Sequence, residues 1–171
     1  MNKRIAALLG SLAFFWIAPA TVAGYIPWML TKWQMQPPLL RASGSRWLGG
    51  ALLGAGAIIV VDSFARCALK GLGTPMPLAP PERLVISGLY RYVRNPMYLG
   101  VVHAIVGQAL LFGSLVLLPY AALVWLIFFA FVVLYEEPIL RQKFGPSYEH
   151  YQANVRRWWP RITPWRGLDT T

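Results

Sequence analysis

The stretch GLYRYVRNPMYLG, residues 88–100, decides the fold because it joins a charged, aromatic segment to a long apolar run. Arg91 and Arg94 are three residues apart, so they share a face if the segment is helical. Pro96 lacks an N–H and fixes φ, which predicts a turn or the first turn of a helix. Residues 98–118 then carry no Asp, Glu, Lys or Arg. The stretch predicts a polar loop at a membrane surface that ends by starting a membrane helix.

The overall composition is that of a membrane protein. Of the 171 residues, 57% are hydrophobic and 13% are charged, whereas a soluble domain carries about 25% charged residues. The net charge is +10, and in a membrane protein basic residues hold the cytosolic side and attract anionic head groups. We therefore expect membrane lipids as partners and no nucleic acid. Cys67 is the single cysteine, so no disulfide within the chain and no metal site is expected.

Four apolar stretches predict an all-α integral membrane protein that forms a single domain over residues 1–171. The predicted spans are residues 5–30, 47–69, 96–118 and 119–135, with a loop at residues 70–95 and a tail at residues 136–171. In the second span, Gly50 and Gly54 form a small-xxx-small pair that predicts close contact with another helix.

The tail is expected to lie on the membrane surface as an amphipathic interfacial helix. Three of its tryptophans interleave with arginines, a composition typical of segments on anionic membranes. Tyr148, Tyr151 and Val155 follow helical spacing, so they should share one face.

The distribution of charge predicts the orientation. The loop between Lys32 and Arg46 holds three of the 16 Lys and Arg residues, and the outer turn near Ser114 holds none. The other 13 lie at the N-terminus, between Arg66 and Arg94, or in the tail, which four spans place on one side. The positive-inside rule assigns that side to the cytosol. We expect a multi-pass protein with both termini and the functional site in the cytosol.

Two polar patches should meet on this side. The third and fourth spans form an antiparallel hairpin, which brings residues 83–98 close to Glu136 and Glu137. A pocket of arginines, tyrosines and carboxylates suits a zwitterionic or cationic ligand with a flat ring. The alternative is that the two acids pair with arginines, namely Arg91, Arg94 or Arg141, and only anchor the hairpin.

Two motifs carry a resemblance to a known family. RYVRNPMYLG and, further along the chain, EEPILRQKFGPSYEHYQANVRRWWPR resemble the membrane methyltransferases that include isoprenylcysteine carboxyl methyltransferases and phospholipid N-methyltransferases. The resemblance covers roughly Gly71–Arg161. It implies S-adenosylmethionine as the methyl donor. The contacts it implies with this cofactor fall on Glu82, Arg83, Leu84, Val85, Tyr90, Asn95, Pro96, Met97, Tyr98 and Glu136, with Glu137 adjacent.

The chemistry of these residues suggests roles toward that cofactor. Arg83 or Arg94 would pair with the methionyl carboxylate, because a guanidinium matches a carboxylate with two donors. Glu136 would accept hydrogen bonds from the amino group or the ribose hydroxyls. Tyr90 and Tyr98 would line the adenine or the sulfonium, since an aromatic face attracts a cation.

Departures from the family pattern bear on the acceptor. Asn95 stands where the prenylcysteine enzymes carry His, and an amide does not exchange protons near neutral pH. Residues 131–134 lack the arginine that those enzymes use to hold a substrate carboxylate, which disfavours a free-carboxylate acceptor. The acceptor is expected to be small or lipophilic and to enter from the membrane, and O-, N- and S-methylation all stay open. Asp62 and His103 are candidates for the acceptor side.

The residues leave other interpretations open. Asp62 and Arg66, four apart, could form an ion pair or line a cavity, and His103 could make a structural hydrogen bond. The chain could also be a non-catalytic membrane scaffold or lipid-binding protein, or a membrane reductase that uses NADPH. No catalytic residue is identified, because methyl transfer from a sulfonium depends mainly on alignment and exclusion of water.

Overall fold

A computed structural model describes residues 18–39, 44–70 and 84–167. These residues form helices and turns without a strand, as the predicted all-α class requires. Glu82, Arg83 and residues 5–17 of the first predicted span lie outside the described residues. The described chain divides into two compact units. One, the helical unit, comprises residues 18–61 and 97–129, and the other, the turn-and-tail unit, comprises residues 62–96 and 130–167.

The helices have the following bounds. They are α1 (Ile26–Thr31), α2 (Gly44–Lys70), α3 (Pro96–Phe112), α4 (Leu117–Phe131), α5 (Glu137–Phe144) and α6 (Pro146–Asn154). Two π-helical turns, Thr21–Tyr25 and Val132–Glu136, lead directly into α1 and α5, and Gly88–Arg91 forms a 3₁₀ turn. The stretches Gly44–Cys67 and Leu117–Phe144 are long and apolar enough to cross a membrane, whereas Pro96–Phe112 is apolar but shorter. The four spans and their orientation stay predictions.

In the helical unit, α3 and α4 form the expected antiparallel hairpin. Pro96 begins α3, and Gly113, with φ of +72°, ends it six residues before the predicted boundary. Tyr98 near the start of α3 packs on Phe128 near the end of α4, with ring centroids 4.7 Å apart. One face of α3 is buried, and its side chains follow helical spacing: Val101, Ala104, Ile105 and Ala109. Apolar side chains such as Leu126 stay exposed, as a membrane helix requires.

The close contact between α2 and α3 runs through glycines other than the pair expected. A Cβ on Gly56 would lie 2.5 Å from the carbonyl oxygen of Gly100, and one on Gly49 would lie 2.8 Å from that of Gly107. Gly50 and Gly54 are exposed, and a Cβ on either would meet no atom within 4 Å, so the small-xxx-small pair takes no part in this contact. Glycines seven residues apart on each helix stay on one face, and this spacing lets the two backbones touch twice.

In the first π-helical turn, side chains from neighbouring helices fill the backbone acceptors. The N–H of Ile26 donates to Thr21, five residues earlier, and Pro27 has no N–H. The carbonyls of Val22 and Ala23 therefore lose their usual helical partners. The Tyr120 hydroxyl donates to Val22 at 2.8 Å, and the Gln108 amide donates to Ala23 at 2.6 Å.

In the turn-and-tail unit, the tail folds on itself through α5 and α6. Gly145, with φ of +49°, separates these two helices. The predicted face of Tyr148, Tyr151 and Val155 is confirmed as a buried cluster, with exposures of 2%, 3% and 0%. Partly buried apolar side chains pack around it: Leu84, Ile86, Leu140, Phe144 and Trp165. The cluster holds the loop before α3 against the tail, and an interfacial position for α6 stays a prediction.

Candidate functional site

Glu137 is the centre of a buried ion-pair cluster in the turn-and-tail unit. Its carboxylate accepts two hydrogen bonds from Arg157, from Nε at 2.7 Å and from Nη2 at 2.8 Å. Arg94 Nη1 lies 3.1 Å from the same carboxylate, and the Gln152 amide donates to it at 3.3 Å. The side chains of Glu137 and Arg94 are only 9% and 8% exposed. Such a carboxylate serves the protein's own cations, which agrees with the anchoring alternative for Glu137.

Arg94 retains donor capacity beyond Glu137. Its Nη1 also lies 3.4 Å from the Tyr148 hydroxyl. Its Nε is buried and has no hydrogen-bond partner among the residues that the structure describes. A buried unsatisfied donor is costly, and the single carboxylate of Glu137 is shared by two guanidinium groups. The arrangement suits an additional anionic group beside Arg94.

The titration of the surrounding groups reflects this burial. Burial, followed by the charge of Glu137, raises the pKa of Tyr148 to about 12, against the opposing effect of Arg94. The hydrogen bond to Glu137 raises the pKa of Arg157. The phenol is therefore neutral and the guanidinium charged at physiological pH.

Tyr90 is fixed at both its backbone and its side chain. Its hydroxyl lies 3.2 Å from the Cys67 sulfur on α2, and its carbonyl accepts a 2.7 Å hydrogen bond from the Tyr151 hydroxyl. Burial raises the pKa of Tyr90 well above its ordinary value, and the neighbouring Cys67 and Glu136 add to this effect. Glu136 therefore lies within electrostatic range of Tyr90, and its residue is partly exposed.

The tail forms backbone hydrogen bonds with the turn that precedes α3. The Arg94 N–H donates to Arg156 at 3.0 Å, and the Trp165 N–H donates to Arg91 at 2.9 Å. The Arg91 guanidinium in turn donates a hydrogen bond of 2.6 Å to the Trp165 carbonyl. These bonds run along the polar turn that contains the candidate site. Residues 156–165, here called the tail strap, therefore hold the turn in place.

The remaining predicted cofactor residues lie in different settings. Asn95 is buried and its amide donates to the carbonyl of Arg157 at 3.2 Å, so it binds the tail strap. Leu84 packs on the tyrosine cluster and Val85 is buried. Pro96, Met97 and Tyr98 form the start of α3. Pro96 and Met97 are buried there, and the Tyr98 ring packs at a tilt against Phe128. Met97 and Tyr98 are part of the helical unit.

The two acceptor-side candidates have local partners. Asp62 accepts a 2.7 Å hydrogen bond from Arg66, which is the i,i+4 ion pair expected as one alternative. His103 is exposed, and its Nδ1 lies 2.7 Å from the carbonyl of Leu99 one turn earlier. Both contacts are those that the structural alternatives for these residues expected.

Sequence reasoning missed Arg157 and Gln152 as partners of Glu137. It assigned the basic tail to the membrane surface, and nothing in the spacing distinguishes Arg157 from its exposed neighbour Arg156. The shared face of Tyr148 and Tyr151 was the one indication in the sequence that the tail packs against the rest of the protein, because an apolar helix face is buried against another element.

Comparison with known proteins places these residues in a family. A family model described as phospholipid methyltransferase matches residues 45–147. A protein-S-isoprenylcysteine O-methyltransferase of Schizosaccharomyces pombe is 39% identical over 72 residues, which are 42% of this chain and 30% of that protein. A probable protein-S-isoprenylcysteine O-methyltransferase of Oryza sativa subsp. indica is 36% identical over 82 residues, which are 47% and 42% of the two chains.

A third relative, protein-S-isoprenylcysteine O-methyltransferase A of Arabidopsis thaliana, is 40% identical over 73 residues, covering 42% of this chain and 36% of that protein. The matched part thus spans between 30% and 42% of the length of these curated relatives. No solved structure matches the chain significantly.

Proposed function

The chain belongs to the phospholipid methyltransferase family, and we propose that it transfers a methyl group from S-adenosylmethionine to a small or lipophilic acceptor that it meets in the membrane. The observation that supports this activity most is the cluster around Arg94, whose buried Nε has no hydrogen-bond partner among the described residues. The apolar helices that could cross a membrane support access from the bilayer. We also propose the multi-pass topology with both termini and the site in the cytosol, which the charge distribution favours.

The residues present fit the methionyl end of this cofactor. A carboxylate beside Arg94 would accept from Nε and add a second anionic group to the two guanidinium groups that share Glu137. Glu136, adjacent in sequence and partly exposed, would accept from the amino group. Glu137 itself would hold the two guanidinium groups in position, because its own oxygens already accept hydrogen bonds from Arg157, Arg94 and Gln152.

The protein's part in the reaction would be positioning. S-adenosylmethionine supplies an electrophilic methyl group on a sulfonium, so the acceptor needs alignment more than acid–base help. Tyr90, fixed at both ends, would present a rigid aromatic face toward the ring or the cation. The tail strap would keep water from the turn. Glu82, Arg83, Met97 and Tyr98 remain proposed cofactor contacts on the family resemblance alone.

Calorimetric titration with S-adenosylhomocysteine tests the proposal. We expect saturable binding to the detergent-purified protein. Glu136→Gln should abolish it, and Arg94→Lys should weaken it because a lysine cannot bind a carboxylate with two donors. Glu149→Gln, the same substitution at an exposed position of α6, is the matched control and should bind as the wild type does.

The alternatives give different outcomes in this experiment. Binding of NADPH alone would favour a reductase, and binding of neither nucleotide would favour a scaffold or lipid-binding protein. Full binding by Glu136→Gln would show that the assignment of this glutamate is wrong. A radiolabelled methyl-transfer assay with extracted lipids would then test the acceptor separately.

A further inference from the structure

The two π-helical turns share the spacing of a valine and a proline and the same shifted hydrogen bond. In the first, Val22 is followed five residues later by Pro27, and in the second Val133 is followed five residues later by Pro138. In both, the N–H just before the proline bonds five residues back, Ile26 to Thr21 and Glu137 to Val132. The N–H four residues after each valine thus bonds to the residue before the valine, and the proline five residues after it has no N–H, so the valine carbonyl loses its usual helical donors.

The two turns differ in how this carbonyl is satisfied. Tyr120 donates to Val22, and Gln108 donates to the next carbonyl, that of Ala23. Among the residues that the structure describes, no side chain donates to Val133 or Leu134.

The setting of the second turn makes an unfilled carbonyl costly. This turn lies within the stretch Leu117–Phe144, which is long and apolar enough to cross a membrane. The Leu134 side chain is 76% exposed, so one face of the turn is open to the bilayer. In the apolar part of a membrane an unsatisfied backbone carbonyl is costly, and irregular helices in membranes expose carbonyls where they receive a ligand.

We propose that the carbonyl of Val133 is a binding subsite for a membrane-borne molecule that carries an O–H or N–H donor. This inference rests on the proposed function and deepens it, because Glu137, which begins α5, ends this same turn at the candidate site. The carbonyl accepts the donor of the methyl acceptor and orients its polar end, while the exposed face at Leu134 contacts its apolar part. A free carboxylate has no proton to donate and is rejected.

Carbonyl ¹³C NMR on protein labelled with [1-¹³C]valine tests the subsite in detergent micelles. The probes are 1-dodecanol and 1-methoxydodecane, which share the same chain and differ in the presence of a donor. Val133→Ile and Val22→Ile assign the two resonances. We expect a saturable downfield shift of Val133 with dodecanol alone, while Val22, already bonded to Tyr120, does not move.

A restored backbone donor provides the matched functional variant. Pro138→Ala returns an N–H to this helix and should weaken dodecanol binding about three- to tenfold, the worth of one neutral hydrogen bond. Pro27→Ala makes the same change in the turn that is filled internally and should leave dodecanol binding unchanged. If Pro138→Ala fails to fold, the Val133 resonance of the wild type decides the question alone.

The outcomes separate this inference from the proposed function. No saturable shift, or equal shifts with both probes, would mean that water or detergent fills the carbonyl and would overturn the subsite. Titration of the same samples with S-adenosylhomocysteine reports the cofactor site independently. Loss of the subsite with intact nucleotide binding would leave the methyltransferase proposal standing, and the reverse result would reject the cofactor assignment while the subsite stands.

Discussion

Glu137→Gln keeps the shape of the side chain and removes the charge that two arginines share. Arg94 is 8% exposed and would stay buried without a counter-ion in this cluster, whereas Arg157 is 29% exposed and can be hydrated. Removing one partner of a buried pair costs about 3–5 kcal/mol. The exposure of Arg157 places the expected loss near the lower end, at about 3 kcal/mol. For a chain of this size this loss lowers the melting temperature by about 6–12 °C.

The assay is thermal unfolding of the detergent-purified protein followed by its tryptophan fluorescence. Glu136→Gln is the variant for comparison, because it makes the same substitution at the adjacent residue. Because Glu136 is more exposed than Glu137, we expect Glu136→Gln to lower the melting temperature less than Glu137→Gln does, and to abolish binding of S-adenosylhomocysteine. Unchanged melting of Glu137→Gln together with loss of nucleotide binding would refute the reasoning, because it would exchange the roles of the two glutamates.

Three further predictions follow from the packing and the titration of the described residues. Gly56→Ala should lower the melting temperature by several degrees because its Cβ meets the backbone of α3, whereas Gly54→Ala, with open space around it, should not. Gln108→Leu should cost about 1–3 kcal/mol by leaving the Ala23 carbonyl unsatisfied, measured in the same melting assay against Gln142→Leu at an exposed site of α5. The free energy of unfolding should fall as pH rises above about 10, because Tyr148 then ionises in the unfolded chain while in the folded protein, with a pKa of about 12, it retains its proton. Melting measured as a function of pH should therefore show a shallower loss between about pH 10 and 12 for Tyr148→Phe than for the wild type.

The features that the sequence predicted are those set by local rules. Pro96 begins α3 as expected, because the lack of an N–H costs nothing at the first helical position. The face of Tyr148, Tyr151 and Val155 is buried as helical spacing required. The ion pair of Asp62 with Arg66 needs only a four-residue separation on a helix.

The features that the sequence did not predict depend on distant partners. Glu136 and Glu137 are indistinguishable by spacing, and Arg157, which binds Glu137, is 20 residues away from it. Gly50 and Gly49 are neighbours, and the position of α3 decides which of them needs to lack a Cβ. A proline five residues after a valine is no sufficient sign of a π-helical turn, because a kinked α-helix follows the same pattern.

The tail strap also sets the order in which the candidate site can form during synthesis. Arg91 and Trp165, which share backbone and side-chain hydrogen bonds, are 74 residues apart. At a synthesis rate of about 5–20 residues per second, Trp165 is added to the chain roughly 4–15 s after Arg91. Throughout that interval the hydrogen-bonding groups of residues 91–94 lack the strap, so a newly made chain passes through a stage in which α3 can form before the candidate site is complete.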